Sequence, residues 1–182
     1  MESCADHRLV RTEELTSAAG GAICVHAEDD EIFVDAETCA TCGAVELVIH
    51  GDATKLQAAF ELDGTCARCD APTWNLGFCV VSQGGTEIHA PLDRTWTFGL
   101  VSRACRHGHV TLASVGGGPA EGAPPNAELL ARHPAVGTCA CGGTVHALGV
   151  ESHHSGRVTV DDRDLRAHIC ARCERVRLFT DR

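Results

Sequence analysis

The chain contains no tyrosine, a single methionine, two tryptophans and five phenylalanines, so aromatics make up only 4% of its 182 residues. Aromatic side chains supply the largest apolar area per residue, and a chain this short of them is poorly equipped for one large conventional core. No apolar run approaches the roughly 20 residues of a membrane span. The opening "MESCADHRLVRTEEL" has no apolar stretch after a basic start. No secretory leader is therefore expected, nor a lipoprotein role for Cys4. Positive charge is also scarce, with 15 Lys and Arg against 25 Asp and Glu and a formal net charge of −10. Residues 1–50 hold eleven acids and two arginines, which argues against general binding to a phosphate backbone. Only residues 139–182, with seven arginines and six acids, keep a nucleic-acid partner open.

Sulfur and imidazole are abundant instead: twelve cysteines and eleven histidines. In a reducing cytoplasm, the compartment expected here, paired cysteines read as metal ligands or redox groups before disulfides. Metal binding also supplies folding free energy that a small aromatic-poor core lacks.

The local signals are short and β-rich. "AICVH" (22–26), "EIFVD" (31–35), "AVELVIH" (44–50), "WNLGFCVVS" (74–82), "TEIHA" (86–90) and "TWTFGLVS" (95–102) read as strands. So do "TVHALGV" (144–150), "RVTV" (157–160) and "RVRLFT" (175–180). "ATKLQAAFEL" (53–62) predicts a helix of two turns. A Gly/Pro-rich linker, 117–137, encloses a shorter helix, "NAELLARH", with Asn126 as its N-cap.

Three CxxC pairs (Cys39/Cys42, Cys66/Cys69, Cys170/Cys173) and one CxC pair (Cys139/Cys141) punctuate these strands. A tetrahedral zinc needs two such knuckles, because a short gap lets both side chains reach one ion from a tight turn. Glycine after the second cysteine, as in "TCATCG" and "TCACGG", suits the positive φ of such a turn. Histidine supplies two further knuckles, Cys4/His7 in "CADH" and Cys105/His109 in "CRHGH". In the second, Gly108 makes the turn before His109 arrives; His107 would need the one-residue gap of Cys139/Cys141. Six knuckles suffice for three zinc ions. Sequential pairing joins Cys4/His7 to Cys39/Cys42, Cys66/Cys69 to Cys105/His109, and Cys139/Cys141 to Cys170/Cys173. The rival joins Cys39/Cys42 to Cys66/Cys69, but a strand and a helix intervene there rather than a hairpin. Sequential pairing makes the chain an internal repeat of roughly 65 residues.

With these knuckles and flanking strands the chain resembles the zinc-ribbon family in three copies. The resemblance implies a small, mainly β, metal-stabilised fold with modules at 1–50, 65–116 and 138–182. It also implies structural zinc and an interaction role. The inter-knuckle gaps exceed the 15–20 residues of the simplest sites.

Other features have plainer readings. Cys24 and Cys79 sit unpaired in apolar runs and read as buried thiols acting as small hydrophobes. His26 and Glu28 followed by Cys39/Cys42 echo the H-x-E and C-x-x-C of zinc deaminases. Only ten residues separate Glu28 from Cys39, however, and Thr38 stands where proline is required. Thioredoxin-like redox chemistry would need a strand-to-helix junction, whereas these pairs are flanked by strands. With no nucleophile–base–orienter set and closed four-ligand sites, the expected function is a non-enzymatic adaptor for protein partners. The alternative is nucleic-acid binding through Arg157, Arg163, Arg166, Arg172, Arg175 and Arg177.

Overall fold

The computed structural model describes residues 9–12, 15–17, 21–27, 30–49, 53–77, 80–82, 86–91, 97–117, 128, 130–152 and 156–180. A first unit contains β1 (Leu9–Thr12), β2 (Leu15–Ser17), β3 (Ile23–Ala27), β4 (Asp30–Cys39) and β5 (Ala44–Ile49). A 3-10 turn (Ala53–Lys55) and α1 (Leu56–Ala59) lead into β6 (Leu62–Thr65), β7 (Pro72–Gly77), β8 (Val80–Ser82), β9 (Thr86–Pro91), β10 (Thr97–Cys105) and β11 (His109–Gly117). The third unit comprises β12 (Ala135–Thr138), β13 (Thr144–Gly149), β14 (Glu151–Ser152), β15 (Gly156–Val160), β16 (Arg163–Cys170) and β17 (Val176–Thr180).

One strand organises each unit. β4, β10 and β16 alternate between buried and more exposed positions, and each ends in a buried cysteine: Cys39, Cys105 or Cys170. The period of two is what a pleated strand with one core face requires. Each is flanked by the same three antiparallel partners. β4 pairs with β1, β3 and β5; β10 with β7, β9 and β11; β16 with β13, β15 and β17.

Three further ladders join the units in a ring. β3 pairs with β8, β9 with β14, and β15 returns to β2. In each case the strand just before the central strand of one unit takes the short strand two places before the central strand of the next, and the last closes on the first. β5 also pairs with both β11 and β17. Ile23 and Val34, Leu76 and Phe98, and Leu148 and Leu165 therefore contribute to one continuous apolar cluster.

This arrangement corrects the expected fold class in part. The chain is mainly β with cysteine knuckles, but it closes as a barrel rather than standing as three tandem ribbons. The closing strands β2, β8 and β14 are three, three and two residues long, too short to register as alternating runs.

The helix expected over 53–62 shrinks to the 3-10 turn and four residues of α1, because Phe60 is already extended and β6 begins at Leu62. Leu56, at its start, is fully buried. Of the second expected helix, Glu128 and Leu130 are helical but Ala131, Arg132 and His133 already form a turn and bend; Leu130 packs in the core. The linker expected through 137 ends instead in β12, paired with β13.

Candidate metal centres

Every knuckle among the described residues closes on a backbone hydrogen bond to the carbonyl of its first cysteine, across four residues in three knuckles and across three in two. The N–H of Gly43, Asp70, Gly108, Gly142 and Glu174 donates to the carbonyl of Cys39, Cys66, Cys105, Cys139 and Cys170 respectively, at 2.8–3.0 Å. All five donors have positive φ, between 56° and 83°. Glycine adopts this conformation freely, whereas Asp70 and Glu174 adopt it at a cost of about 1–2 kcal/mol each. Such strain persists where the surroundings over-determine the turn. The turn residue follows the second cysteine in four knuckles. In the fifth, Gly108 turns first and the longer imidazole comes from His109.

The turns bring together the middle quartet Cys66, Cys69, Cys105 and His109, whose ligand atoms all lie within 4.8 Å of one another. The Cys69 and Cys105 sulfurs are 3.7 Å apart. His109 Nδ1 is 3.6 Å from Cys105 Sγ and 3.7 Å from Cys66 Sγ. A tetrahedral zinc with ordinary bond lengths would set S···S at about 3.8 Å and S···N at about 3.6 Å. Disulfide sulfurs would stand at about 2.05 Å, so these are free thiols at ligand spacing. The sulfurs cluster with Ala71, apart from the main core.

The last quartet has the same character. Cys139, Cys141, Cys170 and Cys173 converge within 4.8 Å, with sulfur separations of 3.7 Å (Cys139–Cys173) and 3.5 Å (Cys141–Cys170). The knuckle N–H of Arg172 points at Cys170 Sγ, 3.4 Å away. The Arg172 guanidinium donates to the Cys141 carbonyl at 2.7 Å and ties the two turns together. Gly143 leaves room for both, since a Cβ there would lie 2.6 Å from Arg172 Cβ and 2.7 Å from Cys170 Sγ.

Electrostatics prepare both sites for a cation. Burial, followed by the nearby Arg68 guanidinium, holds His109 below the usual imidazole range, favouring the neutral ring that ligates metal. Burial alone would raise Cys170, but N–H donation from Cys173 and Arg172 and the thiols of Cys141 and Cys173 bring it down to about 7. Cys173 moves up to about 11: the Arg175 N–H favours its thiolate, but the neighbouring sulfurs and burial outweigh it. Negative charge gathered on one thiol is thus resisted by the next, a conflict that a divalent ion resolves.

Arg68, inside the first knuckle of the middle site, forms ion pairs with Glu37 and Glu46 of the first unit. These glutamates are opposite one another in the β4–β5 ladder, where like charges repel. The arginine therefore relieves a local repulsion while joining the middle knuckle to the neighbouring unit.

The remaining sequence candidates fare differently. Cys39 is buried and Cys42 half-buried at their knuckle, whereas Cys4 and His7 lie outside the described residues. The rival pairing is not formed, because Cys66 and Cys69 meet Cys105 and His109. His107 stays outside the quartet, although its Nδ1 approaches Cys69 Sγ at 3.2 Å. Of the six arginines in the expected basic face, Arg157 and Arg166 pair with Asp164 and Arg163 with Asp161. Glu28 and Cys79 lie outside the described residues. Sequence reasoning missed a third convergence, Cys24, His26 and Glu31. Its only legible signal was the C-x-H spacing on a strand; the carboxylate arrives through cross-strand register.

No helix among the described residues is long and apolar enough to cross a membrane. In comparisons with known proteins, no family model, curated protein or solved structure matches the chain.

Proposed function

We propose that this chain is a non-enzymatic zinc protein whose closed Cys/His quartets pin a β barrel that serves as an adaptor for protein partners. The observation that carries the reading is the match between the ligand separations in the middle quartet and those around tetrahedral zinc. Four protein ligands fill such an ion's coordination, which suits a structural role better than a catalytic one. The formal charge of −10 and the pairing of C-terminal arginines with aspartates favour a protein partner over nucleic acid.

A third quartet, Cys4, His7, Cys39 and Cys42, belongs to the same reading. Its support is the register of the barrel. Leu9, two residues after His7, faces Cys39 in the β1–β4 ladder. Thr73 and Val145, each a few residues after a first knuckle, face Cys105 and Cys170 in the same way.

Native mass spectrometry of the full chain, after a chelating resin has removed loosely held metal, should count three zinc ions. Cys105→Ser and Cys4→Ser should each lose one. A zinc count unaffected by Cys105→Ser would sink the structural-zinc reading. Steeply salt-dependent binding to DNA or RNA would overturn the adaptor role in favour of a nucleic-acid one.

A further inference from the structure

Cys24 and His26 stand two residues apart on β3, and Glu31 of β4 is the cross-strand partner of His26. Alternation along a strand puts Cys24 and His26 on one face. The core takes the other face: Ile23, Val25 and Ala27 join its apolar cluster together with Ile32 and Val34, and Cys24 does not. Cys24 is nonetheless completely buried. Its sulfur is grouped with an imidazole and a carboxylate.

The three ligand atoms lie within 4.8 Å of one another. His26 Nε2 and Glu31 Oε1 are 3.1 Å apart, and their side chains are 41% and 40% exposed. The thiol is thus enclosed, while the imidazole and the carboxylate beside it face solvent. Burial of the sulfur does not oppose ligation, since Cys66, Cys105 and Cys170 in the closed quartets are buried as deeply.

We propose that Cys24, His26 and Glu31 form an open, exchangeable site for a divalent cation of the zinc class. Sulfur, nitrogen and oxygen donors together suit zinc or cobalt, whereas magnesium and calcium prefer all-oxygen shells. Three protein ligands leave a fourth position for water or an exogenous donor, which separates this site from the closed quartets. On binding, the ion replaces the Cys24 thiol proton, which leaves to solvent, and substitutes for the hydrogen bond between His26 and Glu31.

The same trio has the composition of a thiol–imidazole–carboxylate nucleophile set. That role requires an accessible, readily ionised sulfur. Cys24 is enclosed, and burial, followed by the charge of Glu31, pushes its thiol up to about 11.

The proposal is independent of the adaptor reading. Full-length protein with its closed sites zinc-loaded is titrated with Co²⁺ and followed by absorbance and native mass spectrometry. One additional ion is expected, with a sulfur-to-cobalt charge-transfer band. Cys24→Ser should abolish that band, and Glu31→Gln should weaken uptake by at least about tenfold, both leaving the zinc complement unchanged. If Cys24→Ser fails to fold, the exposed Glu31→Gln decides. No additional ion, or one bound equally well by Glu31→Gln, overturns the proposal. So does rapid alkylation of Cys24 at neutral pH in the metal-free chain, which would mark an activated nucleophile instead.

Discussion

The N–H of Ile49, at the end of β5, donates to the carbonyl of Gly108, in the knuckle of the middle site, at 2.7 Å. The two backbones approach so closely that a Cβ on Gly108 would stand 2.5 Å from the Ile49 carbonyl oxygen. This contact fastens a metal knuckle of the second unit to the first.

Gly108→Ala therefore meets two obstacles, the backbone clash and a φ of +81°. It should lower stability by on the order of 3 kcal/mol or more, read as a fall in the melting temperature of the zinc-loaded protein. Gly77→Ala is the control. Its φ is +55° with nothing within 4 Å, so only backbone strain of about 1 kcal/mol is expected. Equal effects would show that packing against Ile49 is unimportant.

Gly143→Ala tests the last quartet without removing a ligand. The added methyl collides with Cys170 Sγ and Arg172 Cβ, so one zinc should be lost while the middle site stays filled. Retention of the full complement would mean that the two turns separate without harm to the metal.

Zinc uptake by the metal-free last quartet should release protons. Cys170, lowered to about 7, is mostly thiolate at pH 7.5, whereas Cys173, raised to about 11, retains its proton. Thiols must deprotonate to ligate. Affinity should consequently fall as pH drops from 8 to 6, where Cys170 also becomes protonated. Calorimetry in buffers of different ionisation enthalpy measures the proton count; a heat independent of buffer would refute it.

Arg68→Ala and Phe98→Ala should differ sharply. Arg68 is 40% exposed in its ion pairs, so its loss is worth about 1 kcal/mol or less. Phe98 is fully buried, and truncation should cost about 3–5 kcal/mol. Denaturant midpoints of the zinc-loaded variants provide the comparison.

The knuckles were legible because a shared ion would impose close, fixed spacings on residues of distinctive type. The Cys66-to-His109 and Cys139-to-Cys173 sets could be read by counting. So could long strands such as β4 and β10, whose alternating burial leaves an alternating sequence. Ring closure was not legible, because β2, β8 and β14 are too short to carry a period and their partners belong to other units. Asp70 and Glu174 show a subtler limit. They occupy the positive-φ position that glycine marks at Gly43 and Gly142, so composition alone hides two turns of the same construction. Cys24 looked like core filler because its run is apolar, and only the register revealed that Glu31 joins it and His26.

The ladder from β15 back to β2 has a consequence for how the protein reaches its fold. Thr16 and Thr159, hydrogen-bonded across it, are 143 residues apart in the chain, whereas the Cys141–Cys170 contact spans 29. Loop-closure entropy favours the shorter span by about 1.4 kcal/mol. The hairpin-spanning cysteine contacts of the last quartet are therefore expected to close before this seam does. Until it seals, β2 and β15 present unpaired edges, and a second molecule at the same stage offers the complementary edges. At high concentration, refolding should therefore produce chains exchanged between molecules, with the two convergent quartets intact and only the seam shared.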